Sequence, residues 1–123
     1  MVLVDTSVWV AHLRMGSRIL EGLLLDGEVL GHPFVIGELA CGNLANRKEI
    51  LSLLAALPSA QVIEFEEFLY FIDQHRLMGR GIGFVDIHLL ASAKLADSPL
   101  YTSDKRLKAE ARRMGLAYPQ AVS

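Results

Sequence analysis

Apolar residues fall into two alternating kinds of run along this chain. Short unbroken runs such as Val2-Leu3-Val4 read as buried strands, and longer ones with apolar residues every three or four positions read as helices. Thr6 or Ser7 is placed to cap a helix to about Leu13, and Ser17 a second to about Leu25. Gly27 to Gly31 predicts a weak strand, and Pro33 suits the first turn of a helix that carries Glu38 and ends near Gly42-Asn43. Ile50, Leu53, Leu54 and Leu57 form a helical stripe stopped by Pro58. A strand is expected over Gln61 to Phe65 and an amphipathic helix over Glu66 to Met78, followed by the glycine-rich break Gly79 to Gly83. Asp86 opens a helix through Ala96 that is too apolar for a surface element. Pro99 to Thr102 predicts another strand, Lys105 to Met114 a helix stopped by Gly115, and Leu116 to Tyr118 a short edge strand. Strands that alternate with helices predict an α/β fold with a mostly parallel sheet of four to five strands. No repeat or linker divides it, so residues 1–123 read as a single domain.

Composition narrows the picture. A hydrophobic content of 52% supports a packed core and excludes disorder. The single cysteine, Cys41, excludes an internal disulfide or a cysteine-rich zinc site and is expected to be a small buried apolar residue. No signal-like segment precedes the first strand and no apolar run reaches the roughly 18 residues of a membrane helix, so a soluble, cytoplasmic protein is expected. The net charge of −2 does not announce nucleic-acid binding, which would require a local basic surface.

The candidate chemistry lies in four acids. Asp5 and Asp104 follow strands, where open α/β sheets place ligands, Asp86 begins the most apolar helix, and Glu38 sits among apolar and small neighbours, an expensive place for a lone carboxylate. Helix capping accounts for any one of the aspartates taken singly. Three such aspartates and an internal glutamate exceed what capping needs. Two carboxylates about 4 Å apart repel by roughly 4 kcal/mol at an effective dielectric near 20. A cluster therefore either keeps protons or holds a cation, and an all-oxygen set favours Mg²⁺ or Mn²⁺. A haloacid-dehalogenase-type phosphatase would carry a second aspartate at the place of Ser7, and a receiver domain an acidic pair after its first strand; neither is present. A non-catalytic binding module on the same scaffold is the remaining alternative. His88 is the only histidine placed for a role, beside Asp86, and Trp9 reads as core or as a dimer contact.

Taken in order, Val-Leu-Val-Asp5-Thr-Ser, Glu38 within a helix, Asp86 opening Ile-His-Leu-Leu-Ala-Ser-Ala, and Tyr-Thr-Ser-Asp104 resemble the PIN domain family, and within it the VapC-type ribonuclease toxins of toxin–antitoxin systems. The resemblance spans essentially the whole chain. It implies a three-layer α/β/α fold and a metal-dependent endoribonuclease whose catalytic and metal-binding residues are Asp5, Glu38, Asp86 and Asp104, using Mg²⁺ or Mn²⁺. It further implies RNA as substrate, a VapB-type antitoxin as partner, and a homodimer. Thr6 and Ser103 are candidate hydrogen-bond donors to the acids. Arg76, Arg80, Lys105, Arg106 and Lys108 are candidate RNA contacts, because they flank the segments that carry Asp86 and Asp104. Some relatives place a second acid near the position of Asp86; this chain has one.

Overall fold

The computed structural model describes residues 1–119; the last four of the expected 1–123 domain lie outside the described residues. The elements run β1 (Val2–Val4), α1 (Thr6–Met15), α2 (Arg18–Leu25), β2 (Val29–Leu30), α3 (Pro33–Cys41), α4 (Arg47–Ala55), α5 (Phe65–His75), α6 (Phe84–Leu95), β3 (Leu100–Tyr101) and α7 (Lys105–Arg113). The sheet is parallel, in the order β2-β1-β3, with Leu3 opposite Leu30 on one side and Leu100 on the other. Successive strand side chains point to opposite faces. All three residues of β1 are buried, so helices must cover both faces, giving the α/β/α layering. The central helix is α6, in which every residue from Ile87 to Ala93 is buried.

The sheet has three strands where four to five were expected. Of the two outer candidates, Leu116 to Tyr118 contributes a single bridge, Leu100 with Ala117; the other bridge, Gly31 with Ser59, falls before the expected Gln61 to Phe65 strand. Gln61 to Glu64 do not pair as a strand. The Gln61 carbonyl accepts the Ser92 hydroxyl at 2.7 Å, and Phe65 begins a helix, because Phe65, Phe68, Phe71 and Ile72 share helical spacing. That helix ends at His75, three residues early, where Arg76 turns left-handed at φ 52°. The apolar helix starts two residues early, at Phe84, which makes Asp86 its third residue. In the stripe on α4, Leu54 is buried and Leu53 exposed. Trp9 is buried. Cys41 is exposed at the last turn of α3, against the expectation of burial.

Two substitutions separate core from surface. Leu3→Ala removes a fully buried side chain from the central strand and is expected to cost about 2–5 kcal/mol in urea unfolding. Cys41→Ser is expected to change stability by less than about 0.5 kcal/mol.

Candidate active site

Asp5 stands one residue beyond β1, at the position that would cap α1, yet its side chain makes no capping hydrogen bond. The buried carboxylate turns across the sheet instead. Its Oδ2 accepts the Ser7 hydroxyl at 2.7 Å and the Thr102 hydroxyl at 2.7 Å. Each hydroxyl also accepts a backbone N–H: that of Ser103 reaches Ser7 Oγ at 3.0 Å, and that of Asp104 reaches Thr102 Oγ1 at 3.0 Å. Two polarised relays thus fix the carboxylate and join the tip of β1 to the tip of β3. The Asp5 Oδ1 atom lies outside this network.

Glu38 is exposed, so its expected burial is wrong; it stands on the rim of the site. Neighbours in sequence said apolar, but a helix sets them on different sides, and Glu38 takes the side that faces α1. There its Oε1 accepts the Thr6 hydroxyl at 2.6 Å. Asp104 is exposed and caps α7, accepting the Leu107 N–H at 2.9 Å. Asp86 is half-buried and reaches back to accept the Gly83 N–H at 3.2 Å.

Electrostatics bring the four acids together. Burial pushes the Asp86 carboxyl above its ordinary range; the Gly83 N–H pulls the other way, and the negative charges of Asp5, Asp104 and Glu38 add to the rise. The charges of Asp5, Asp104 and Glu38, from three other segments, thus act on Asp86. Among the described residues, no three His, Cys, Asp or Glu side chains already stand close enough to hold an ion. The donor chemistry nonetheless fits a hard divalent cation: all-carboxylate, mutually repelling, with one acid desolvated.

The expected supporting residues divide. Thr6 does bind an acid, Glu38. Ser103 contributes its backbone N–H, to Ser7. Ser7 and Thr102, which hold Asp5 directly, were overlooked as supporting groups; the signal was their place beside the aspartates in both strand-tip motifs. Of the basic candidates, Arg76 and Arg80 are exposed in the segment that leads to Asp86, with Arg80 Nε donating to the Arg76 carbonyl at 3.2 Å. Lys105 is exposed and Lys108 half-buried on α7. The Arg106 guanidinium lies across Gly81 (φ 77°), 2.7 Å from where a Cβ would stand, and so links α7 to that same segment. His88 packs among Phe34, Phe68 and Phe84.

A buried chain of hydrogen bonds spaces two of the acid-bearing helices. His32 Nδ1 caps α3 by accepting the Phe34 N–H at 3.0 Å, and its Nε2 lies 3.0 Å from Ser92 Oγ on α6. Ser92 gives its one proton to the Gln61 carbonyl, so its oxygen receives the His32 Nε2–H. That assignment requires neutral His32. Burial, then the neighbouring His88, lowers its pKa from 6.5 to about 4.

Two of the shifted groups, His32 and Asp86, act on stability with opposite signs. Folding disfavours the His32 proton, so the stabilisation is complete above about pH 6.5 and is lost as the pH falls towards 4. His32→Asn retains a cap acceptor and is expected to melt lower at neutral pH, with a shallower decline of melting temperature across that interval. Folding favours the Asp86 proton, so its penalty is complete above the raised value and fades as the pH falls through it. Asp86→Asn is expected to raise the melting temperature of chelator-treated protein at neutral pH, and differential scanning calorimetry checks both.

Comparison with known proteins gives a consistent set of likenesses. Residues 2–112 match the sequence profile of the PIN domain. The chain is 46% identical over 124 aligned positions to Ribonuclease VapC32 from two strains of Mycobacterium tuberculosis, with 100% of each chain covered. The crystal structure of PAE2754 from Pyrobaculum aerophilum superposes with a TM-score of 0.65 at 16% identity, covering 89% of this chain and 83% of that one, which is a likeness of fold.

Proposed function

This chain belongs to the PIN domain family, and we propose that it is a metal-dependent endoribonuclease, the toxin of a VapBC-type toxin–antitoxin pair. The observation that carries the reading is the placement of Asp5 and Asp104 beyond the tips of the adjacent parallel strands β1 and β3, with the charges of Asp5, Asp104 and Glu38 all acting on Asp86. The ribonuclease name of the full-length relatives supports the reaction class.

Asp5 and Asp86 are assigned as direct donors to Mg²⁺ or Mn²⁺, with Glu38 and Asp104 beside them. When bound, the ion supplies an acidified water and neutralises charge at the scissile phosphate. The chain's own groups do the positioning. Ser7 and Thr102 hold Oδ2 of Asp5, so Oδ1 would be the atom offered to the ion. Thr6 holds Oε1 of Glu38 and leaves Oε2 to accept a hydrogen bond from the attacking water. As that water's oxygen bonds to phosphorus it gives a proton to Glu38 Oε2, the bond to the leaving oxygen breaks, and the leaving oxygen takes up a proton from solvent. Arg76, Arg80, Lys105, Arg106 and Lys108 offset the repulsion between the acids and the RNA backbone.

The same reading gives the protein a homodimeric state, a cytoplasmic setting and a VapB-type antitoxin, which would place a cationic side chain against the acids. No helix among the described residues is long and apolar enough to cross a membrane.

Purified protein freed of antitoxin is expected to cut single-stranded RNA with Mg²⁺ or Mn²⁺ and to stop on addition of chelator. Asp5→Asn or Asp86→Asn should lower the cleavage rate by at least about 100-fold with an unchanged circular dichroism spectrum. Thr102→Val, which releases Asp5 without removing it, should lose about 10- to 100-fold. Parental rates in either aspartate variant would overturn the site assignment.

A further inference from the structure

A ladder of aromatic rings joins α3, α6 and α5, the first two of which carry Glu38 and Asp86. Phe34 precedes Glu38 by one turn of α3, and residues four apart are neighbours on a helix face. Its ring stacks with that of Phe84, with centroids 6.1 Å apart and planes at 26°. Phe84 opens α6 two residues before Asp86. It meets Phe68 at 4.8 Å, and Phe68 stacks with Phe65 at 6.1 Å and 17°. His88 lies flat against Phe68 at 4.3 Å and braces the assembly from within.

Burial divides the ladder in two. Phe68 and His88 belong to the core, whereas Phe84 is 53% exposed and Phe65 62% exposed. A phenyl ring left more than half in water forgoes much of its hydrophobic stabilisation. The packing of α5 and α6 does not require it, since Phe68, Phe71 and the run from Ile87 to Ala93 supply that core. Arg76 and Arg80 are exposed in the segment that leads in sequence to Phe84, and Arg106 rests on that segment at Gly81. Braced, half-exposed rings that follow a segment of exposed arginines match a polymer that alternates flat bases with phosphates, as unstacked single-stranded RNA does.

We propose that Phe84, backed by Phe34 and Phe68, is a stacking platform for a nucleobase next to the scissile phosphate, with Phe65 as an outer platform. This rests on the ribonuclease reading and adds to it how a single strand is gripped. Stacking is tolerant of base identity, so the platform supplies affinity and register while leaving sequence choice to other contacts.

The test uses Asp5→Asn protein, in which cleavage is blocked. Fluorescence anisotropy follows its binding to labelled oligouridylate and to an abasic sugar–phosphate strand of equal length. Adding Phe84→Ala is expected to weaken oligouridylate binding about 5- to 100-fold and to leave the abasic strand unaffected. Phe84→Trp should preserve the affinity, and its indole emission should be quenched as RNA binds. If Asp5→Asn protein prefers RNA to the abasic strand and Phe84→Ala leaves that preference intact, the platform is overturned and the nuclease reading stands. Absence of binding to either strand, together with no cleavage by the parent, overturns both. A shift from dimer to monomer in sedimentation equilibrium, accompanying the loss of affinity, would make the ring a contact between copies and also overturn the platform.

Discussion

The hydrogen bonds that two hydroxyls make to Oδ2 of Asp5 tie the active-site geometry to the sheet. Ser7 lies on α1 and Thr102 beyond β3, so the carboxylate is held by both ends of the chain. Each hydroxyl is itself oriented by a backbone N–H from the turn that leads to α7. The parallel register of β1 with β3 is what sets these groups side by side, and a slip of one residue would turn Thr102 to the opposite face. The position of the Asp5 carboxylate is therefore set by the sheet.

Around that fixed point the other acids are placed by helices. Each helix has its own local reason for its position: His32 and Pro33 start α3, Asp104 caps α7, and Asp86 binds the Gly83 N–H at the start of α6. Capping and convergence are thus compatible uses of one residue. The buried His32–Ser92–Gln61 chain spaces α3 from α6 without entering the pocket. It explains why a region of almost wholly apolar packing tolerates a histidine and a serine. Both are fully satisfied, and a satisfied polar pair costs little and specifies one arrangement.

The architecture was legible where local signals agree with tertiary packing. Val2-Leu3-Val4, Pro33 at the first helical turn, Ser17 as a cap and Asp104 after the last strand all behave as their patterns require. Errors arose where an apolar run suited two structures. Phe65 closes what reads as a strand and equally opens a helix with Phe68 and Ile72, and only packing against α6 decides between them. Glu38 and Cys41 were misjudged because neighbours in sequence are not neighbours around a helix. The strand-tip motifs put Ser7 and Thr102 beside the aspartates but do not say which hydroxyl binds which carboxylate. Which of Thr6, Ser7, Thr102 and Ser103 faces Asp5 depends on how the chain turns after each strand, a property of the folded sheet.

The mutual repulsion felt by Asp86 has a regulatory consequence. Any cation that enters the pocket relieves the same unfavourable field, whether it is a metal ion or the guanidinium of an inhibitory chain. On the proposed reading, an activating metal and an inhibiting guanidinium would be rivals for that single charge deficit. A ligand that binds only the folded form stabilises it, so an occupied cluster would also be the harder one for proteases to open.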